Sequence, residues 1–203
     1  MTPKKQPDVY YCYDELPKWL QNNPFVHRRY RPPKESYAYC FKSVFMLHTE
    51  TVNIWTHLVA FFIYLYMAVE FFRHQHCSGI SGGDKILLST AYFACAATWL
   101  MSTVYHIMIC HSVSVCNFWF KMDILGIIVN FTVNTNILIY FAFYYQPMAR
   151  YFHHIIMTCS GVWAGVWTMR QGNGLARLRQ AFGVAVFWPN DKCTPFFCQC
   201  QEF

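Results

Sequence analysis

The sequence is short of charge. Lysine and arginine number 16 and aspartate and glutamate 10 in 203 residues, a charged share of 13%, about half the roughly 25% of ordinary globular domains. That scarcity argues against a soluble fold. The chain opens with the polar stretch "MTPKKQPD" and no apolar run close behind it, so no cleavable signal peptide is expected and the first apolar block must act as its own signal. The basic residues are not interleaved with a recognition motif, which sets nucleic acid aside as a partner. The tail motif "CTPFFCQC" (Cys193, Cys198, Cys200) lacks a paired C-x-x-C and histidines at zinc-finger spacing. It reads as a cysteine-rich tail suited to palmitoylation. Ten cysteines would suggest a disulfide framework in a short secreted chain, but Cys95, Cys110 and Cys159 fall in apolar blocks, where cysteine behaves as a small hydrophobe.

What the sequence has is apolar and aromatic residues, 55% and 20% of the chain. Mean hydropathy is +0.18 even with the polar ends included, so the apolar residues are concentrated in blocks. Four blocks stand out, at 54–72, 86–110, 122–145 and 151–169. The shortest, about 19 residues, nearly crosses a hydrocarbon core of about 30 Å. The expected fold is therefore an all-α integral membrane protein, a helical bundle with four transmembrane spans. Residues 1–53 form an N-terminal region, 54–169 the membrane region, and 170–203 a basic, cysteine-containing tail.

Lysine and arginine set the orientation, because short loops rich in them stay in the cytoplasm. Lys4, Lys5, Lys18, Arg28, Arg29, Arg31, Lys34 and Lys42 precede the first span, while Arg170, Arg177, Arg179 and Lys192 follow the fourth. With four spans both ends lie on one side, joined there by Lys121, against Arg73, Lys85 and Arg150 opposite. A cytoplasmic N-terminus is expected, and the net charge of +6 reads as solvated flanks beside an anionic leaflet.

"YDELPKWLQNNPF" predicts a short interfacial helix, with Asp14 as N-cap, Trp19 and Leu20 on one face and Pro24 closing it. "RRYRPPKESY" is a proline-broken connector, and 37–47 should lie along the membrane or continue as helix. At the start of the first span Thr49 or Thr51 can cap and Glu50 suits the positive helix end; Trp55 belongs to the interfacial belt.

Ionisable groups inside a span are costly and usually face the bundle interior or water. Ser102 and His106 are four apart and share a face, a row that Cys110 extends by a turn. His111 lies about 140° round from His106 and cannot chelate with it on a straight helix. In the third block Asp123, Asn130 and Asn134 form one polar stripe, both asparagines within about 20° of the aspartate, which must face protein. With a loop of about nine residues between the blocks, His106 and Asp123 should lie at matching depth. Histidine, carboxylate and hydroxyl together fit a metal ligand with its orienting acid, a proton relay, or a plain interhelical hydrogen bond worth about 0.6 kcal/mol. His153 and His154 start the fourth block at the other side of the membrane and are not expected to complete such a site.

"YRPP" (30–33), "SVFMLHTETVNIWTHL" (43–58), "STVYHIMICHS" (102–112) and "KMDILGI" (121–127) resemble the progestin and adipoQ receptor family, which includes the adiponectin receptors and is related to the hemolysin III proteins. The resemblance covers roughly residues 10 to 165. It implies seven spans, a cytoplasmic N-terminus in a plasma, Golgi or ER membrane, and a buried Zn2+ near the cytoplasmic side. Ser102, His106 and Asp123 fit the family spacing of a serine four residues before a zinc histidine and an aspartate seventeen after it. Carried over, His106 is a metal ligand, Asp123 holds zinc-bound water, and Ser102 lines the site. The resemblance implies a signalling receptor for a steroid, lipid or adipokine-like ligand. It couples that receptor to zinc-dependent, ceramidase-like hydrolysis of a lipid amide, and leaves open which activity is primary.

The family's remaining ligands come from an H-x-x-x-H pair on a seventh span, and this chain has neither. After Trp167 the sequence departs from the family pattern. The expectation is a truncated form with four of seven spans, an incomplete zinc site and no hydrolysis. The alternative is a non-catalytic membrane protein that pairs with full-length family members.

Overall fold

The computed structural model of the chain describes residues 10–21, 23–73 and 81–171. All regular structure among them is helical: a 3-10 turn at Tyr13–Glu15, a short helix α1 (Tyr37–Ser43), and four long helices, α2 (Thr51–Arg73), α3 (Gly82–Met108), α4 (Val113–Ala142) and α5 (Pro147–Arg170). Three of these, at Thr51–Phe71, Gly82–Met108 and Val113–Ala142, are long and apolar enough to cross a membrane. The fourth, α5, has the length and position of the expected fourth span but is more polar, and is not among the three. The tail at 170–203 lies, beyond Gln171, outside the described residues.

The long helices pack in sequence order, α2 on α3, α3 on α4 and α4 on α5, with α1 against α3. Close approach of α3 and α4 depends on Gly126, where an added Cβ would sit 3.3 Å from the Thr98 Cα. Thr98 uses the proximity, its hydroxyl donating to the Gly126 carbonyl at 2.9 Å. Between α4 and α5 the equivalent residue is Gly161, whose Cβ would overlap the Thr132 side chain. Small residues at helix contacts are how helices pack in lipid, where no hydrophobic gain separates side chain from solvent. Outward faces remain apolar, with Phe62, Tyr66, Ile155 and Trp163 all exposed.

All four long helices start before their apolar blocks, α2 at Thr51 and α5 at Pro147 among them. Ser81 caps α3 by accepting from the Asp84 N–H, so the helix starts four residues before the apolar block. Ser112 does the same for α4 through the Val115 N–H, and α4 begins at Val113 instead of 122. The connection is therefore Ile109–Ser112, a tight turn rather than a loop of nine residues.

The N-terminal region also differs. In place of an interfacial helix there is one 3-10 turn, held by Cys12 N–H donating to Glu15 Oε2 at 2.9 Å. Pro17 and Pro24 limit a longer helix. Tyr11 and Tyr30 pair as an isolated antiparallel bridge, and Leu16, Leu20 and Tyr30 are buried against Tyr105, Ile109, Cys116 and Phe120, with Trp19 packed alongside. This segment covers the α3–α4 turn; it is not a free membrane anchor. In α1, Tyr39, Cys40 and Ser43 are buried while Phe41, Phe45 and Leu47 around it stay exposed, a pattern suited to lying along a membrane surface.

Arg31, expected as a solvated basic flank, is 3% exposed. Its guanidinium donates to Ser43 Oγ at 2.7 Å, to the Ile107 carbonyl at 3.0 Å and to the His106 carbonyl. These carbonyls lie in the last turn of α3, where helix acceptors have no internal partner and a cation meets the negative end of the dipole. Replacing Arg31 with Met removes the charged donor shared by two carbonyls of α3 and the Ser43 hydroxyl. Arg31→Met is expected to lower stability by about 2–4 kcal/mol, read as a fall in the thermal midpoint of the purified protein, with Arg31→Lys intermediate.

Candidate functional site

His106 lies two residues before the end of α3, with Arg31 on its carbonyl and its ring turned toward α2. Its Nδ1 is 2.8 Å from Glu50 Oε2. Glu50 also accepts from Asn53 Nδ2 at 2.9 Å. An ionised carboxylate can only accept, so His106 donates from Nδ1, and a neutral ring keeps the lone pair on Nε2. This carboxylate-to-histidine arrangement fixes a ring so that its other nitrogen can act as a base or a metal ligand. Around the ring stand His57, with centroids 5.2 Å apart, and Tyr105 at 5.0 Å. The His57 Nδ1 is buried with no hydrogen-bond partner.

Sequence reasoning paired His106 with Asp123. The structure places Asp123 about ten residues, or roughly 15 Å, inside α4, because that helix starts earlier than its apolar block. There the Ser102 hydroxyl is turned to the carboxyl as donor, and His106 acts on it only through space. The polar groups thus occupy two levels: Glu50 with His106, and Ser102 with Asp123 about a turn deeper. Glu50 as the partner of His106 was missed. Its signal was the spacing of Glu50, Asn53 and His57, three and four residues apart on one helical face.

The other polar residues divide. Cys110 lies beyond α3 and leaves the Ser102–His106 row to meet Cys40, Sγ to Sγ 3.8 Å. The His111 ring packs on Tyr37, centroids 4.2 Å apart. The stripe on α4 is only partly internal: Asn130 accepts from Cys95 Sγ at 3.2 Å, whereas Asn134 is exposed and donates back to Asn130. His154 pairs with Asn136 Oδ1 at 2.7 Å between α4 and α5. Among the described residues, no group of three or more His, Cys, Asp or Glu side chains is arranged to hold a metal ion.

Beside Glu50, His48 accepts at Nδ1 from the Glu50 N–H, 3.1 Å, and lies at Nε2 3.0 Å from the Ser43 carbonyl. With Nδ1 accepting, the proton sits on Nε2 and the ring is neutral. Glu50 is held down to about 2: burial opposes ionisation, but the His106 and Asn53 hydrogen bonds and the Arg31 charge outweigh it.

A match to the Haemolysin-III related family spans residues 45–189. The chain belongs to the Haemolysin-III related family. Its relatives include the adiponectin receptor protein of Drosophila melanogaster, 37% identical over 141 residues, covering 68% of this chain and 32% of the relative. Progestin and adipoQ receptor-like protein 1 of Caenorhabditis elegans is 35% identical over 153 residues, 75% of this chain and 35% of its own length. Progestin and adipoQ receptor family member 3 of Homo sapiens is 34% identical over 119 residues, 58% of this chain and 38% of its own. This Haemolysin-III related chain thus spans about a third of the length of the curated relatives it matches. The family match runs past Trp167, where the sequence reading saw the likeness end. The residues of "HTETVNIWTH" and "STVYHIMICHS" that meet at Glu50 and His106 lie within it.

His48 gives the site a measurable pH dependence. Burial and the nearby Arg31 charge lower it to about 4 from 6.5. Between these values the unfolded chain binds the proton and the folded protein does not, so stability falls as pH drops from about 6.5 and levels off below about 4. The loss is expected to reach up to roughly 3 kcal/mol. Thermal midpoints across pH 7 to 4 should fall in the wild type and stay flatter in His48→Gln.

Proposed function

We propose that this membrane receptor-like protein uses His106 as one ligand of a zinc site whose remaining ligands the described residues do not supply. The observation carrying this reading is the Glu50–His106 hydrogen bond at 2.8 Å, which fixes the ring and leaves Nε2 for a metal. A zinc ion in a complete site of this kind lowers the pKa of bound water and polarises a carbonyl, chemistry that suits hydrolysis of a lipid amide in longer family members. Here Ser102 and Asp123 supply a donor and an acceptor one turn deeper, able to orient a water or a polar head group. A catalytic zinc needs three protein ligands and an open position, and among the described residues His106 is the one ligand this reading supplies. A receptor-like role in binding a steroid, lipid or adipokine-like ligand is the reading that remains. The excess of Lys and Arg before α2 supports a cytoplasmic N-terminus, in a plasma, Golgi or ER membrane.

A specific feature favours a second reading. The side of α4 and α5 away from α3 carries an open apolar groove of about 550 Å3, lined by Leu125, Val129, Thr132, Gly161, Val162 and Gly165. A transmembrane helix of a longer family member would fill it, making this chain a modulator of such proteins.

Metal analysis of the purified, zinc-loaded and desalted protein is expected to find well under one zinc per chain. Before desalting, weak binding should disappear in His106→Ala and persist in His111→Ala. One tightly held zinc per chain would overturn the incomplete site, and binding indifferent to His106→Ala would remove His106 as ligand. For the second reading, this chain and a longer family member carrying different tags should co-purify from one membrane, with Val162→Trp, which fills the groove from an exposed position, weakening the association. Absence of any association counts against it.

A further inference from the structure

Cys40 on α1 and Cys110 in the α3–α4 turn are both fully buried, 0% and 1% exposed, and their sulfurs are 3.8 Å apart. They are separated by 70 positions in the chain, so the contact is a product of the fold. The surrounding structure fixes it on both sides. Lys34 N–H donates to the Cys110 carbonyl at 2.9 Å, the Ser43 hydroxyl donates to the Cys40 carbonyl at 2.7 Å, and Arg31 ties Ser43 to the end of α3. Nothing in the metal or receptor reading uses these two thiols.

We propose that Cys40 and Cys110 are a dithiol modification site, closed to an intramolecular disulfide by hydrogen peroxide. The sulfurs must approach by roughly 1.8 Å to reach a bond of about 2.05 Å. Rotation of the two side chains about χ1 supplies a movement of that size while Arg31 holds α1 to the end of α3. Access comes through Cys110, which lines a cavity of about 20 Å3 with Tyr30, Arg31 and Glu50, room for a molecule about the size of water. The Arg31 charge beside the pair favours a thiolate. Either sulfur can donate in their contact; Cys110 is the thiol lowered, by that contact ahead of the Arg31 charge and against burial, while Cys40 is raised.

The chemistry balances with the peroxide as sole oxidant. The Cys110 thiolate attacks one peroxide oxygen and the O–O bond breaks. This gives a sulfenic acid and a hydroxide, which takes up the thiol proton as water. The Cys40 sulfur then attacks the sulfenic sulfur, the S–S bond forms and the S–O bond breaks. Hydroxide leaves and takes the Cys40 proton as a second water. Two thiols are oxidised by two electrons and one peroxide is reduced. The product staples α1 to the α3–α4 turn, next to the residues that hold His106, and a dithiol reductant reverses it.

The test uses the full chain in phospholipid nanodiscs, treated with hydrogen peroxide, alkylated, digested and mapped by mass spectrometry. The expected product is a linked pair of peptides carrying Cys40 and Cys110, lighter than their sum by two hydrogen atoms and absent after reduction. In Cys40→Ser the sulfenic acid should persist at Cys110 and be captured by dimedone. The oxidised wild type should show a higher thermal midpoint that returns on reduction. Recovery of both cysteines fully alkylated after peroxide, or of either linked preferentially to another cysteine such as Cys12, would overturn the proposal. The wild-type map decides the question even where the serine variant fails to fold.

Discussion

Arg31 holds the described structure together at one end. A guanidinium withdrawn from water is costly unless every N–H finds an acceptor. Here the acceptors are the open carbonyls of the last turn of α3 and the hydroxyl of Ser43. That single group fixes the end of α3 to α1 and to the connector that carries it. The neighbours follow: His48 spans from Glu50 to Ser43, Glu50 reaches His106, and the thiol pair closes the far side. A proline-broken connector without regular structure is thereby as well determined as the helices it joins.

The polar interior is layered. Near the α3–α4 turn, charge is concentrated in Arg31 and Glu50, beside the ring of His106; a turn deeper come the shorter side chains Ser102 and Asp123, and further in hydroxyl, amide and thiol groups such as those of Thr98, Asn130 and Cys95. Each layer pairs residues from separate segments of the chain, so polar groups that would be expensive against lipid face one another. The relatives' names and the family match give this arrangement its biological setting, and the layering gives it a chemical direction from the turn inward.

Much of the fold was legible in the sequence because lipid imposes length and apolarity on anything that crosses it. The helices α2, α3 and α4 follow directly from the apolar blocks. Their starts were not legible, since Ser81 and Ser112 add polar turns that hydropathy does not register. For α4 those turns shift the depth of Asp123 and so its partner. The identity of His106 and Ser102 as neighbours on one face followed from spacing. Glu50 and Arg31 did not, because their partners lie 56 and 75 positions away, and nothing local distinguishes a buried arginine from a solvated one in a basic segment. The short N-terminal segment was misread for a related reason: Trp19 and Leu20 suit a lipid interface and a protein groove equally well.

The guanidinium of Arg31 binds the backbone of residues 106 and 107, not their side chains. The axial position of α3 is therefore specified independently of which residue occupies its last turn. That relieves the imidazole of setting the axial position of the helix, and leaves its bond to Glu50 to orient the ring. Backbone position at residue 106 is set by a distant arginine, and the direction of its ring by Glu50.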